Sequence, residues 1–132
     1  MRLTLPWPPS VNKYYRHINK GQLAGRTLIS EEGRAFRSAV DAVVRQARAR
    51  KAMAFPLEVR VAAYPPDRRK RDLDNLLKAT LDALQSSGVY LNDSQIESLS
   101  IYRAEPVAGG QLEVQITALD TGWRQALGDV LT

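Results

Sequence analysis

Residues 57–87 read LEVRVAAYPPDRRKRDLDNLLKATLDALQSS, and they place a strand, a charged connection and a helix in succession. Apolar residues at positions 57, 59, 61 and 63 alternate with Glu58 and Arg60, which predicts a half-buried strand. Pro65 and Pro66 end it, because proline cannot donate to a sheet ladder. From about residue 74 to 87 leucines recur at helical spacing, and Gly88 follows as a stop signal. The segment therefore predicts a strand covered by the helix that follows it.

The flanking sequence adds further elements to this strand and helix. Upstream it predicts a short strand over residues 2–7, a polar and aromatic loop over 9–29, and a helix over about 31–50 with Ser30 as N-cap. Downstream it predicts two strands, 98–105 and 111–119, joined as a hairpin through Pro106, Gly109 and Gly110. This order predicts an α+β domain of two layers, a small mixed sheet covered by helices, over residues 1–120. Residues 121–132 form a C-terminal tail that could contain a short helix.

Composition narrows the classes of protein and of site. A chain of 132 residues fits one domain. The absence of cysteine excludes disulfides and thiolate metal sites, and the single histidine, His17, cannot make a zinc site alone. No stretch approaches membrane-spanning length, and prolines interrupt the N-terminal run before it could form a signal sequence. These features predict a cytoplasmic protein in which any metal is held by oxygen ligands.

Charge is divided unequally along the chain. Residues 1–71 contain 16 Lys and Arg against 5 Asp and Glu, a net charge of +11, whereas residues 72–132 contain 3 against 9, a net −6. Arginine outnumbers lysine 14 to 5, and its planar guanidinium suits phosphate oxygens. A basic surface beside an acidic group is typical of a metal-using enzyme that acts on a polyanion. Ordinary solvated charge is the alternative.

The switch in charge falls where the central loop becomes a helix. Four basic residues, 68–71, run directly into Asp72 and Asp74. The two carboxylates can share a face if Asp72 is extended, with Asp74 at or near the helix N-cap. Lys78 follows Asp74 by one helical turn, and Asp93 in the later turn YLND could fold back toward them. Three carboxylates beside a lysine could bind Mg²⁺ and orient a water for phosphodiester hydrolysis.

Structural explanations exist for the same residues. Aspartate is a common helix cap, and Asp74 with Lys78 could be a surface ion pair. The arginines along the helix at 31–50 could be solvated, and the tyrosines of the loop at 9–29 could either stack on unpaired bases or pack in the core. Four adjoining cations that repel one another nevertheless favour a polyanionic partner.

Several long motifs, in order, resemble the RusA family of Holliday-junction resolvases over about residues 1–120. They are TLPWPPSVNKYYRH near the start, SEEGRAFR at the first long helix, PPDRRKRDLDNLLKATLDAL in the centre, and YLNDSQI after it. The resemblance implies a dimeric, Mg²⁺-dependent endonuclease, with Mn²⁺ able to substitute, that makes paired nicks in four-way DNA junctions during recombination and repair in a bacterial or phage-infected cell. Residues 19–25 and the tail lie outside it.

The resemblance also implies roles for individual residues. The family's essential acids fall on Asp72, Asp74 and Asp93, expected as metal ligands, and its essential lysine falls on Lys78. Arg71 falls on a basic position that the family associates with DNA handling. The basic run and the N-terminal loop themselves add Arg68, Arg69, Lys70, Lys13 and Arg16 as expected DNA-binding residues. Two other functions remain open: a nuclease for other branched nucleic acids, and a junction-binding protein without chemistry.

Overall fold

The computed structural model describes residues 1–119, so the expectation of a short helix within 121–132 lies outside the described residues. The strands are β1 (Arg2–Pro6), β2 (Tyr15–His17), β3 (Thr27–Ile29), β4 (Leu57–Tyr64), β5 (Ile96–Arg103) and β6 (Gln111–Ala118). The helices are α1 (Val11–Tyr14), α2 (Glu31–Gln46) and α3 (Leu77–Ser86), and 3-10 turns occupy Leu73–Leu76 and Asp93–Gln95.

Four strands form one mixed sheet in the order β1-β6-β4-β5. β6 pairs antiparallel with both β1 and β4, whereas β5 pairs parallel with β4. Alternate residues of β1 and β6 are buried against α2 and α3, as a sheet covered on one face requires. The predicted α+β class, a mixed sheet with covering helices, is therefore confirmed.

The predicted hairpin between the last two strands is wrong. β4 lies between β5 and β6, so the connection at 104–110 crosses the end of β4 instead of making a tight turn. Backbone N–H groups of Ala104 and Val107 donate to carbonyls of Ala63 and Pro65 along this crossing. The turn residues of the connection were recognised correctly, but turn chemistry does not reveal which strand lies beside which.

The N-terminal connection is more ordered than the predicted loop. It contains α1 and an antiparallel β2–β3 pair. Tyr14 is fully buried in the core, whereas Tyr15 is only partly buried against it. Gly33 permits this packing, since a Cβ at that position would lie 2.5 Å from the Tyr14 carbonyl oxygen. Of the two alternatives for the tyrosines, core packing therefore holds for Tyr14.

α2 begins as predicted and ends earlier. Ser30 is its N-cap, and the hydroxyl oxygen accepts a hydrogen bond from the Gly33 N–H at 2.9 Å. The helix ends at Gln46, not at residue 50, because Arg48 adopts a left-handed φ of 54°. The N–H groups of Arg48 and Ala49 then donate to the carbonyls of Arg45 and Val44, which closes the helix in a Schellman motif.

In residues 1–119 no helix is both long and apolar enough to span a bilayer.

Candidate active site

Asp72 and Asp74 lie on a 3-10 turn that precedes α3. Asp72 is the N-cap of this turn, with the extended conformation that we expected (φ −80°, ψ 128°), and its side chain makes no capping hydrogen bond. Asp74 lies within the turn rather than at a cap, because the 3-10 turn places Leu76 at the N-cap of α3. Asp74 is exposed and Asp72 is exposed as well. Their carboxylates therefore face solvent at the start of α3.

A cleft of about 540 Å³ opens beside Asp72, and we call it the Asp72 cleft. It is lined by the chain before α1, by α1, by the start of α2, and by residues 69–72, 75 and 76. Its charged and amide side chains are those of Lys13, Glu32, Arg69, Lys70, Arg71, Asp72 and Asn75. Four cationic and two acidic side chains from two distant parts of the sequence thus line one cleft, an arrangement suited to a phosphate backbone beside a reactive site.

Two of the proposed DNA-binding residues behave differently from those that line the Asp72 cleft. Arg16 lies on β2, is exposed, and is not among the residues that line the cleft. Arg68 makes a 3.5 Å ion pair with Glu105, and both side chains are more than 80% exposed (83% and 86%). Such a pair is weak, so a polyanion could displace Glu105.

Arg71 is held within the wall of the cleft. Its guanidinium lies 2.8 Å from the Asp67 carboxylate and also donates to the carbonyls of Asp67 and Arg69. It lies 5.8 Å from the centre of the Trp7 ring. The hydrogen bond from Arg71 lowers the pKa of Asp67 below its ordinary value, so this carboxylate is ionised at neutral pH. Arg71 therefore shapes the loop, while Arg69 and Lys70 make no ion pair within the described part of the chain.

Asp93 is positioned by the turn that contains it. Asn92 and Gln95 form a capping box around the 3-10 turn, and the Gln95 side chain also donates to the carbonyls of Met53 and Phe55. The Asp93 N–H donates to the Gln85 side-chain oxygen at 2.9 Å, which attaches this turn to the last turn of α3. Asp93 is thereby fixed at the C-terminal end of α3, whereas Asp72 and Asp74 precede the N-terminal end of this helix.

Lys78 lies in the first turn of α3 with its side chain exposed. It is four residues from Asp74, but the surface ion pair considered as a structural explanation does not form. In residues 1–119 no ion pair involves Lys78. The ammonium group is thus available to an incoming anion.

The fit of these residues to a metal ion can be judged from their chemistry and their placement. Carboxylate oxygens are the ligands that Mg²⁺ prefers. No group of three or more His, Cys, Asp or Glu side chains within the described residues is arranged to hold a metal. The donor type therefore fits, whereas Asp72, Asp74 and Asp93 are not preassembled into one coordination group.

Sequence reasoning missed two features of the site. Asn75 lines the Asp72 cleft three residues after Asp72, and that helical spacing was the available signal. Asp82, on α3 one turn beyond Lys78, pairs with Arg37 of α2 at 2.5 Å. No local pattern joins residues 45 positions apart, so this contact required the tertiary structure.

The fold and the Asp72 cleft define a class of protein: a small α+β domain that presents exposed carboxylates at the edge of a cationic cleft. Residues 6–117 match the family described as "Endodeoxyribonuclease RusA". Proteins named "Crossover junction endodeoxyribonuclease RusA" from Shigella sonnei (strain Ss046) and Escherichia coli (strain K12) are each 44% identical over 117 residues, covering 89% of this chain and 93% of theirs. A protein of the same name from Enterobacteria phage 82 matches to the same extent. The chain belongs to the RusA family, as its motifs indicated.

Proposed function

We propose that the chain is a structure-specific endodeoxyribonuclease that resolves four-way DNA junctions by paired nicks in recombination and repair. The observation that carries the proposal is the Asp72 cleft, which joins cationic side chains to an exposed carboxylate in a chain of the RusA family. Relatives from bacteria and a phage support action in the cytoplasm of a bacterial or phage-infected cell.

The side chains divide the work by position. Lys13, Arg69 and Lys70 bind the phosphate backbone along the cleft, since they make no ion pair among the described residues. Lys78 donates to a phosphate oxygen and stabilises the charge that develops there. Asp72, Asp74 and Asp93 would hold Mg²⁺, for which Mn²⁺ could substitute. The bound metal would supply an activated water and Lewis-acid stabilisation of the reacting phosphate.

The test compares a synthetic four-way junction with a linear duplex of the same sequence, with and without Mg²⁺. We expect paired nicks only in the junction, not in the duplex, and only when Mg²⁺ is present. The Asp72→Asn variant should make none. Junction binding without nicking under all metal conditions would establish the non-catalytic alternative. Equal cleavage of flaps and three-way junctions would establish the broader branched-DNA alternative.

A homodimer is the second part of the proposal, because symmetric nicks require two sites and one domain offers one. We propose that two copies pair through β5, at the edge of the sheet. It is an edge strand of eight residues, and Leu99 and Tyr102 on it are 41% and 59% exposed. Antiparallel pairing about Ser100 would place Leu99 opposite the partner's Ile101 at both ends. The edge is therefore complementary to itself in apolar contacts.

Sedimentation of wild type at micromolar concentration should give a dimer, and Leu99→Lys should give a monomer. Leu23→Lys is the matched control, since Leu23 is 44% exposed and lies outside the sheet. A monomeric wild type that still makes paired nicks would exclude the dimer. A dimer that Leu99→Lys leaves intact would exclude this edge.

A further inference from the structure

Three side chains from three helices meet beside α3, and we call them the Arg37 cluster: Tyr14 of α1, Arg37 of α2 and Asp82 of α3. The Tyr14 hydroxyl donates to Asp82 Oδ2. Arg37 Nε donates to the Tyr14 hydroxyl at 2.8 Å and to Asp82 Oδ2 at 3.0 Å, while its Nη2 lies 2.5 Å from the same oxygen. One carboxylate oxygen thus accepts from a tyrosine and an arginine together.

The Arg37 cluster is largely withdrawn from solvent. The Tyr14 residue is fully buried, and the Arg37 and Asp82 side chains are 33% and 25% exposed. Burial and the hydrogen bond to Asp82 raise the pKa of Tyr14, so the phenol remains a donor at any working pH. Burial acts to lower the pKa of Arg37, but its bonds to Asp82 and Tyr14 raise it, so the guanidinium stays charged. The negative charge of Asp82 is therefore matched locally by a permanent positive charge.

Asp82 also lies within reach of a second cation. It follows Lys78 by four residues in α3, the spacing at which side chains on one helical face meet. Lys78 nevertheless makes no ion pair in the part of the chain that the structure describes, and Asp82 is turned to Arg37 and Tyr14 instead. A carboxylate released from the Arg37 cluster would be the nearest competitor along α3 for the Lys78 ammonium.

We propose that Arg37 and Tyr14 are positioning residues that hold Asp82 away from Lys78, so that the lysine remains available to the substrate phosphate. This inference rests on the proposed function, in which Lys78 acts on the reacting phosphate. Neither Arg37 nor Tyr14 is among the residues that line the Asp72 cleft. They act by satisfying a carboxylate that would otherwise neutralise the lysine.

Paired substitutions separate this role from ordinary structural support. Arg37→Gln should lower kcat on the four-way junction by about three- to tenfold, because the released Asp82 would pair with Lys78. Asp82 is partly buried, and a partly buried carboxylate binds a lysine more strongly than an exposed one does. Junction affinity should change less than about twofold, because the cleft keeps its cations. Arg37→Gln combined with Asp82→Asn should recover most of the activity, since the double variant contains no carboxylate to compete. Arg37→Lys, which keeps the charge, should resemble wild type.

The matched control is Arg45→Gln, which removes an α2 arginine whose 2.7 Å partner, Asp41, lies on the same helix. It should leave kcat unchanged. A purely structural role predicts that the double variant is no better than Arg37→Gln alone, and that outcome would overturn the inference.

A readout independent of cleavage keeps the two proposals distinguishable. The side-chain ammonium ¹⁵N signal of Lys78, measured by NMR without DNA, should shift in Arg37→Gln and return in the double variant. If wild type fails to cut junctions but the Lys78 signal shifts in Arg37→Gln and returns in the double variant, the proposed function is wrong and the sequestration of Asp82 stands. An ammonium signal that is identical in all variants would refute the sequestration, whatever the cleavage result.

Discussion

The Arg37 cluster and the Asp72 cleft use the same residue types in opposite ways. In the cluster, arginine and aspartate satisfy one another and are mostly buried. In the cleft, Asp72 is exposed without a capping bond, and Arg69 and Lys70 are exposed without ion pairs among the described residues. Charges that find partners inside the domain contribute to its stability, whereas charges left open are available to a ligand. Substitutions in the two regions should therefore separate folding from activity.

The largest effect should come from the three carboxylates that we propose as metal ligands. Asp72→Asn, Asp74→Asn and Asp93→Asn should each lower the rate of junction nicking by about a hundredfold or more, because each removes a proposed metal ligand. Binding should survive, since the cationic surface remains, and urea unfolding should be nearly unchanged. Cleavage kinetics and gel shifts measure the two quantities, and wild-type nicking by any of the three variants would remove that residue from the site.

Lys78→Ala should have the next largest effect, again on activity. We expect turnover to fall by about tenfold to a hundredfold with little change in junction affinity, because the lysine acts mainly on the transition state. Single-turnover kinetics at saturating enzyme isolate the chemical step. Equal decreases in affinity and rate would show that Lys78 is a simple phosphate anchor and not a catalytic residue.

Substitutions in the Arg37 cluster should lower the stability of the fold. Asp82→Ala leaves Arg37 and the buried Tyr14 hydroxyl without their acceptor, so the free energy of unfolding should fall by about 1–3 kcal/mol. Asp41→Ala is the control, because it removes a similar ion pair whose arginine is 63% exposed and should cost less than about 1 kcal/mol. Urea denaturation of both variants gives the difference, and equal decreases would contradict a special role for burial in the Arg37 cluster.

The smallest effects should come from single residues of the basic run. Arg69→Gln and Lys70→Gln should each reduce the slope of log affinity against log salt by about 0.9 for each phosphate that the side chain neutralises in wild type. Arg71→Gln should combine a lower affinity with a loosened loop, because Arg71 is held by Asp67 and Trp7. An unchanged slope for Arg69→Gln and Lys70→Gln would mean that these side chains face solvent in the complex.

The ends of α2 and α3 show where sequence reasoning succeeds and where it stops. Both helices close in a Schellman motif, with Gly88 (φ 82°) at the left-handed position of α3 and Arg48 (φ 54°) at that of α2. Glycine reaches this conformation at little cost, so its presence predicted the end of α3. Arginine carries no such signal, and the sequence therefore predicted a helix to residue 50 where α2 ends at Gln46.

The sequence by itself determined the α+β class, the strand at β4, the N-cap Ser30 and membership of the RusA family. Each depends on local periodicity, capping chemistry or ordered motifs, which neighbouring residues express directly. Only the tertiary structure decided that β4 separates β5 from β6, that Lys13 joins Asp72 in one cleft, and that Arg37 holds Asp82. These contacts join residues that are far apart in the chain. They form because all elements must pack together to bury the core, and a pattern among neighbouring residues does not specify that packing.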